Sequence, residues 1–150
     1  MAEIKKARAM GLNHVALEVG DIEEALTFYG RLFDFKLRGK NNDAALIDLG
    51  DQFLALQKGR RQGGDDGRHF GLVVDDKEAV RIALAATGVK VLPGRFLDFL
   101  DPWGNRIEVV GYDNIQFTKA PHVLRGMGLA DLSKSPQAIK ELAEKGMAAA

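Results

Sequence analysis

The sequence predicts an α+β fold of two βαβββ modules followed by a helical C-terminal extension, and two observations carry that prediction. An eight-residue pattern occurs twice, as HVALEVGD (His14 to Asp21) and HFGLVVDD (His69 to Asp76), with His first, Leu fourth, Val sixth and Asp eighth. Each copy is then followed by a helix-periodic run and by short strand-like segments in the same order. Self-similarity of this length marks a duplicated supersecondary unit.

The elements follow in chain order. Residues 1–11 form an N-terminal segment and residues 12–58 the first module. Leu12 to Val19 alternates apolar and polar residues as a half-buried strand does. Asp21 is placed to cap a helix, with Glu24 three positions on as the capping-box partner. Ile22, Ala25, Leu26, Tyr29, Leu32 and Phe33 share one helical face. Asp34 and Gly39 bracket a strand at Phe35 to Arg38. Ala44 to Leu49 and Gln52 to Gln57 read as two strands joined by a turn at Gly50-Asp51. Residues 59–68 (GRRQGGDDGR) are polar and glycine-rich, a linker between modules.

The second module occupies residues 69–111. His69 to Asp75 is a strand. Asp76 caps a helix that turns Val80, Ala83 and Leu84 inward and stops at Gly88. Val89 to Leu92, Phe96 to Leu100 and Arg106 to Gly111 are the remaining strands. Asp101-Pro102-Trp103-Gly104-Asn105 is a turn, in which Pro fixes one φ and Gly permits a positive one. Residues 112–150 lie outside the repeat. Their last helix starts at Ser135 with Pro136 in the first turn, and Ile139, Leu142 and Ala143 form a narrow apolar stripe for docking on the body or on a second chain.

Composition narrows the function. Lys+Arg and Asp+Glu both number 21, so no net field draws nucleic acid or anionic lipid. The absence of cysteine excludes disulfides, thiolate metal sites and thiol nucleophiles together. Met1 to Met10 lacks the apolar stretch of a signal peptide, and no run reaches membrane-spanning length, so a cytoplasmic protein is expected.

Alternation puts His14, Ala16 and Glu18 on one strand face, with Val15, Leu17 and Val19 on the other. In the second copy His69, Gly71 and Val73 oppose Phe70, Leu72 and Val74. The apolar faces should lie under the helices and leave both histidines toward a concavity. Glu108 stands between β-branched residues in Arg106-Ile107-Glu108-Val109-Val110, where a buried carboxylate needs a cation. Two imidazoles and a carboxylate make the facial triad that leaves metal positions open, so His14, His69 and Glu108 are expected to bind one metal. The third histidine, His122, has no partner motif and is read as structural.

These residues resemble the vicinal oxygen chelate superfamily of glyoxalases, extradiol dioxygenases, fosfomycin-resistance enzymes and bleomycin-binding proteins. The matching pieces are Leu12-Asn13-His14-Val15, the helix from Asp21 to Phe28-Tyr29, His69 to Asp76, and Asp101 to Glu108. The resemblance implies paired modules forming a cupped mixed sheet around a divalent metal, with His14, His69 and Glu108 on the ligand positions. It also implies a homodimer and a small-molecule substrate with vicinal oxygens. Fe(II) is the favoured metal, with Mn, Ni or Zn as alternatives.

The chain also departs from the superfamily's subgroups. Lactoylglutathione lyases carry another carboxylate on the fourth strand of the first module, where this chain has Ala55 or Leu54. Fosfomycin-resistance enzymes often have Thr where Ala16 stands, and a longer loop than Leu92-Pro93-Gly94-Arg95. Extradiol dioxygenases usually place Tyr three residues before the Asp-Pro of the last turn, where this chain has Asp98.

A hairpin closed by Asp101 to Asn105 sets Leu100 opposite Arg106 and Asp98 opposite Glu108. Asp98 is then a candidate general base, or the partner of Arg95 or Arg106. Arg106 and Arg95 are candidates for binding an anionic substrate group. The expected function is a divalent-metal enzyme, either a ring-cleaving dioxygenase or a lyase/isomerase. The alternative is a non-catalytic small-molecule binder of the bleomycin-resistance type.

Overall fold

The computed structural model describes residues 4–8 and 10–149. Residues 1–3, 9 and 150 lie outside them, so the reading of the N-terminal segment and of the chain's last residue rests there on sequence alone. The first module contains β1 (His14–Val19), α1 (Ile22–Gly30), β2 (Lys36–Lys40), β3 (Ala44–Asp48) and β4 (Phe53–Lys58). The second contains β5 (Phe70–Val74), α2 (Lys77–Ala86), β6 (Leu97–Leu100) and β7 (Arg106–Gly111). The extension contributes a one-turn 3-10 helix (Tyr112–Asn114), α3 (Pro121–Gly126) and α4 (Pro136–Glu144).

Both repeat copies end in working helix caps. Asp21 Oδ1 accepts from the Glu24 amide at 2.8 Å and Asp76 Oδ1 from the Ala79 amide at 3.0 Å, each satisfying a donor at the helix start. The first sheet runs β1-β4-β3-β2, with β1 parallel to β4 and His14 beside Phe53. The second runs β5-β7-β6, with β5 parallel to β7 and Gly71 beside Glu108. The expected hairpin register holds: Asp98 faces Glu108 and Leu100 faces Arg106.

Two expectations about the strands are corrected. Val89 to Leu92 does not form a strand and makes only a bridge from Val91 to Phe99, with the Leu92 amide donating to Asp98 O at 2.8 Å. Pro93 has no N–H to continue that ladder, and Gly94 turns the chain away at a φ of +136°. The second module therefore has three strands in its sheet. Gly39 lies inside β2 rather than after it, at a register shift between Leu37 and Gly39.

The modules share one core. Tyr29, Ala25 and Ile22 of α1 join Val80 and Leu84 of α2, Phe99 of β6, and Ile107 and Val109 of β7. Phe28 meets Tyr29 edge-on at 5.2 Å and Phe99 at 6.1 Å, so the first helix packs on the second sheet. The Tyr29 hydroxyl donates to Asp101 Oδ2 at 2.7 Å, inside the turn that precedes β7. Trp103 of that turn packs so close to Gly20 that a Cβ there would stand 2.3 Å from Nε1.

The linker is fastened to the same turn. The Asp65 amide donates to Gly104 O at 2.7 Å, and Gly64 lies against Gly104, where a Cβ would meet Gly64 Cα at 2.6 Å. The extension docks on the body. Lys119 is buried and pairs with Asp51, and Met127 packs on Gly50. Ser135 caps α4 by accepting from the Ala138 amide, as the sequence implies. The residue α4 buries is Ala138, whereas Ile139 is 52% exposed. The predicted stripe is therefore rotated, because α4 sits on the 3-10 turn, where the Ser135 amide donates to Asp113 O. Among the described residues no helix is long and apolar enough to cross a membrane.

Burial, then the nearby Asp101 carboxylate, pushes the Tyr29 hydroxyl well above its ordinary value of 10.0. An unfolded chain ionises this group first, so stability should be full below pH 10 and decline as pH rises toward the folded value. Tyr29→Phe should cost about 1–2 kcal/mol in urea unfolding at neutral pH. It should also remove this group's share of the alkaline loss. A loss of stability above pH 10 as steep in Tyr29→Phe as in the wild type would refute the linkage.

Candidate metal centre

His69 immediately precedes β5, and its ring is fixed by the backbone. Nδ1 lies 2.8 Å from Gly67 O, and a carbonyl can only accept, so Nδ1 carries the proton. The lone pair of the neutral ring is then on Nε2, which lies 3.9 Å from Glu108 Oε1. Glu108 reaches this point because Ile107 and Val109 take the buried face of β7 and leave Glu108 on the other. Its side chain is 18% exposed and that of His69 42% exposed, so the pair opens to solvent.

His14 is prepared in the same way. Its Nδ1 lies 2.9 Å from Asn13 Oδ1, and its ring stacks on Phe53 at 4.7 Å and 9°. An acceptor on Nδ1 leaves Nε2 for a metal, which is how outer partners orient imidazole ligands. The structure therefore brings His69 and Glu108 together and places His14 elsewhere. Among the described residues, no three His, Asp or Glu side chains converge on one point. The physical reason is topological. β1 pairs only with β4 and β5 only with β7, so the two histidine-bearing segments belong to separate sheets. His122 is exposed on α3.

A cavity of about 230 Å³ adjoins His69, bounded by Ala16, Glu18, Arg60, Asn105 and Arg106 among others. Arg106 is anchored by Asp98, with Nε and Nη2 at 2.8 and 2.7 Å from Oδ2. Asp98 is 5% exposed, and its Oδ1 has no hydrogen-bond partner. Of the two arginines expected to meet an anionic group, Arg106 lines the cavity. Arg95 lies over the Phe96 ring at 5.4 Å.

The sequence reading did not pick out Arg60. It donates to Asn105 Oδ1 and to the carbonyls of Gln62 and Gly63. Burial raises the carboxyl of Asp65, but bonds from Arg68 and the Arg106 amide, with the charges of Arg68 and Arg60, hold it below its ordinary value. Asn13, Phe53 and Gly67 were likewise missed as the groups that hold the two histidine rings. Only Asn13, adjacent to His14, had a signal in the local sequence.

Residues 11–109 match the model of the Glyoxalase/Bleomycin resistance protein/Dioxygenase superfamily. The chain belongs to that superfamily. The metallothiol transferase FosB of Bacillus licheniformis is 28% identical over 77% of this chain and 88% of its own length. The glutathione transferase FosA of Serratia marcescens is 27% identical over 65% and 78%. A structure described as a possible glyoxalase from Bacillus cereus superposes with a TM-score of 0.56 at 28% identity, covering 68% of this chain and 99% of that one. Residues 110–150, most of them the C-terminal extension, lie outside the matched range.

The Asp98–Arg106 pair makes a prediction of its own. Arg106→Gln leaves a buried carboxylate unpaired and should cost about 3 kcal/mol by denaturant unfolding. Adding Asp98→Asn should recover most of that loss. A double variant no more stable than Arg106→Gln would show that the pair is not the cause.

Proposed function

We propose that this protein is a divalent-metal enzyme acting on a small substrate with adjacent oxygen atoms, and that it works as a homodimer. The observation that carries the reading is the His69–Glu108 pair, with Nδ1 of His69 committed to Gly67 and Nε2 left toward the carboxylate. Two neutral imidazoles and a carboxylate suit a divalent ion of the Fe(II), Mn, Ni or Zn type. When bound, the ion would act as a Lewis acid toward the substrate's oxygens.

The third ligand in this proposal is His14 of a second copy. β1 and β5 are both edge strands with unpaired backbone groups. A twofold dimer that sets β1 of one copy beside β5 of the other brings His14 to His69 and Glu108 twice. Arg106 would hold an anionic group of the substrate, kept in place by Asp98 Oδ2. Asp98 Oδ1 is buried without a partner, and it would take a substrate proton once substrate binding opens a path to it.

Metallothiol transferase and glutathione transferase relatives favour thiol transfer among the superfamily's reactions, whereas Asp98 favours proton abstraction. Both need substrate oxygens held by the metal. The exposed edges and uncharged balance of the chain suit a small-molecule substrate better than nucleic acid.

Mixing two inactive variants tests the shared site. His14→Ala and Glu108→Ala chains, each metal-free at a chosen ion concentration, are unfolded together and refolded. Random pairing should restore about a quarter of the wild-type metal sites, since half the dimers carry one intact site. No recovery from a dimeric mixture would exclude a site built across two copies. A wild-type protein that binds no divalent ion would point to the metal-free binding class instead.

A further inference from the structure

We propose that Phe53 is the positioning residue for His14, and that the C-terminal extension keeps Phe53 in place. The proposal rests on the reading of His14 as a metal ligand. His14 and Phe53 stand side by side on parallel strands, with rings 4.7 Å apart and 9° from parallel. An exposed imidazole on an edge strand would otherwise rotate freely about its ring torsion. Phe53 covers one face while Asn13 Oδ1 holds Nδ1 at 2.9 Å, so the ring is fixed from two directions.

Phe53 is in turn held from the turn before β4. The Arg38 guanidinium lies 5.0 Å from the Phe53 ring centroid, an attractive cation–π arrangement. Its position is set by bonds to Gly50 O at 2.6 Å and Gln52 O at 2.8 Å. Gln52 Nε2 donates to Leu12 O at 2.9 Å, and the Phe53 amide donates to Asn13 O at 3.2 Å. The segment that delivers His14 is thus tied to the same turn.

The extension closes on that turn. Lys119 pairs with Asp51, and a Cβ on Gly50 would stand 2.5 Å from Met127 Sδ. Lys119 itself is fixed by its amide, which donates to the Tyr112 hydroxyl at 3.2 Å. The ammonium of Lys134 ties the extension together by donating to Tyr112 O at 2.7 Å and Ile115 O at 2.8 Å, and also to Phe117 O. A segment outside the superfamily match therefore reaches from the end of β7, the strand of Glu108, to the support of His14.

The test uses the full chain and Mn(II), with free ion read by electron paramagnetic resonance. Metal-free histidine ring signals are read by long-range proton–nitrogen correlation. Phe53→Leu should weaken Mn(II) binding about tenfold, the loss typical of an outer support of a ligand. Phe53→Tyr, which keeps the stacked ring, should stay within about twofold of wild type. The metal-free Leu variant should lose the ring-current shift of His14 while melting near the wild-type temperature. Lys119→Met should weaken binding in the same direction by about threefold, less than loss of the ring itself.

Wild-type affinity in Phe53→Leu, or a Tyr variant as weak as the Leu variant, would overturn the proposal and leave the metal reading standing. Failure of the wild-type protein to bind any divalent ion would overturn both. If Leu at 53 unfolds the chain, Arg38→Gln decides: reduced affinity supports the proposal and unchanged affinity overturns it.

Discussion

The docking of the first helix onto the last turn of the second module is the constraint on which the rest depends, and Asp101 is its centre. Oδ1 accepts from the amides of Trp103 and Asn105, each at 2.9 Å. Oδ2 accepts from the Tyr29 hydroxyl at 2.7 Å and from Asn105 Nδ2 at 2.8 Å. A buried carboxylate with four donors is satisfied where it would otherwise be costly. Asn105 extends the node by donating to Glu18 O at 2.9 Å and accepting from Arg60. Helix α1, strand β1, the linker and the last hairpin meet within two side chains.

That node fixes the geometry of the candidate site. It lies just before β7, so it sets where Glu108 begins its strand, and it holds the end of β1 whose first residue is His14. Helix α1 packs on β4 of its own sheet as well as on Phe99 of β6, and β1 and β5 meet across the cavity without pairing. The same packing leaves His14 and the His69–Glu108 pair on different sheets within one chain. The clasp of Gly64 on Gly104 works to the same end, because a linker bonded to the turn has little freedom to swing β5 against β1.

Around the two histidines, groups close by in the chain set the ring orientation. Gly67 O selects the tautomer of His69 from the backbone, and the side-chain oxygen of Asn13 meets Nδ1 of His14. Arg106 is kept in the cavity wall by a carboxylate that has almost no access to water. The free oxygen of Asp98 is the one buried side-chain polar atom without a partner among the described residues, and it lies on the strand facing Glu108.

Local sequence determined a good deal. The repeated pattern located both β–cap–helix units, because alternation and capping are properties of neighbouring residues. The Asp-Pro-Trp-Gly-Asn turn fixed the hairpin register, so Asp98 opposite Glu108 was legible from counting alone. Pro93 carried a warning against a strand at Val89 to Leu92, since a residue without N–H ends a ladder.

Tertiary structure decided the rest, for reasons a single strand does not encode. Parallel pairing of β1 with β4 put Phe53 beside His14, two residues far apart in the chain. Pairing of β1 with β4 and of β5 with β7 kept the two histidines in different sheets. Docking of α4 on the 3-10 turn, where the Ser135 amide donates to Asp113 O, turned Ala138 inward and Ile139 out. Short-range patterning specifies which residues face a sheet's surface. Which surfaces then meet depends on how long-range burial is shared, and here that sharing leaves His14 apart from its expected companions.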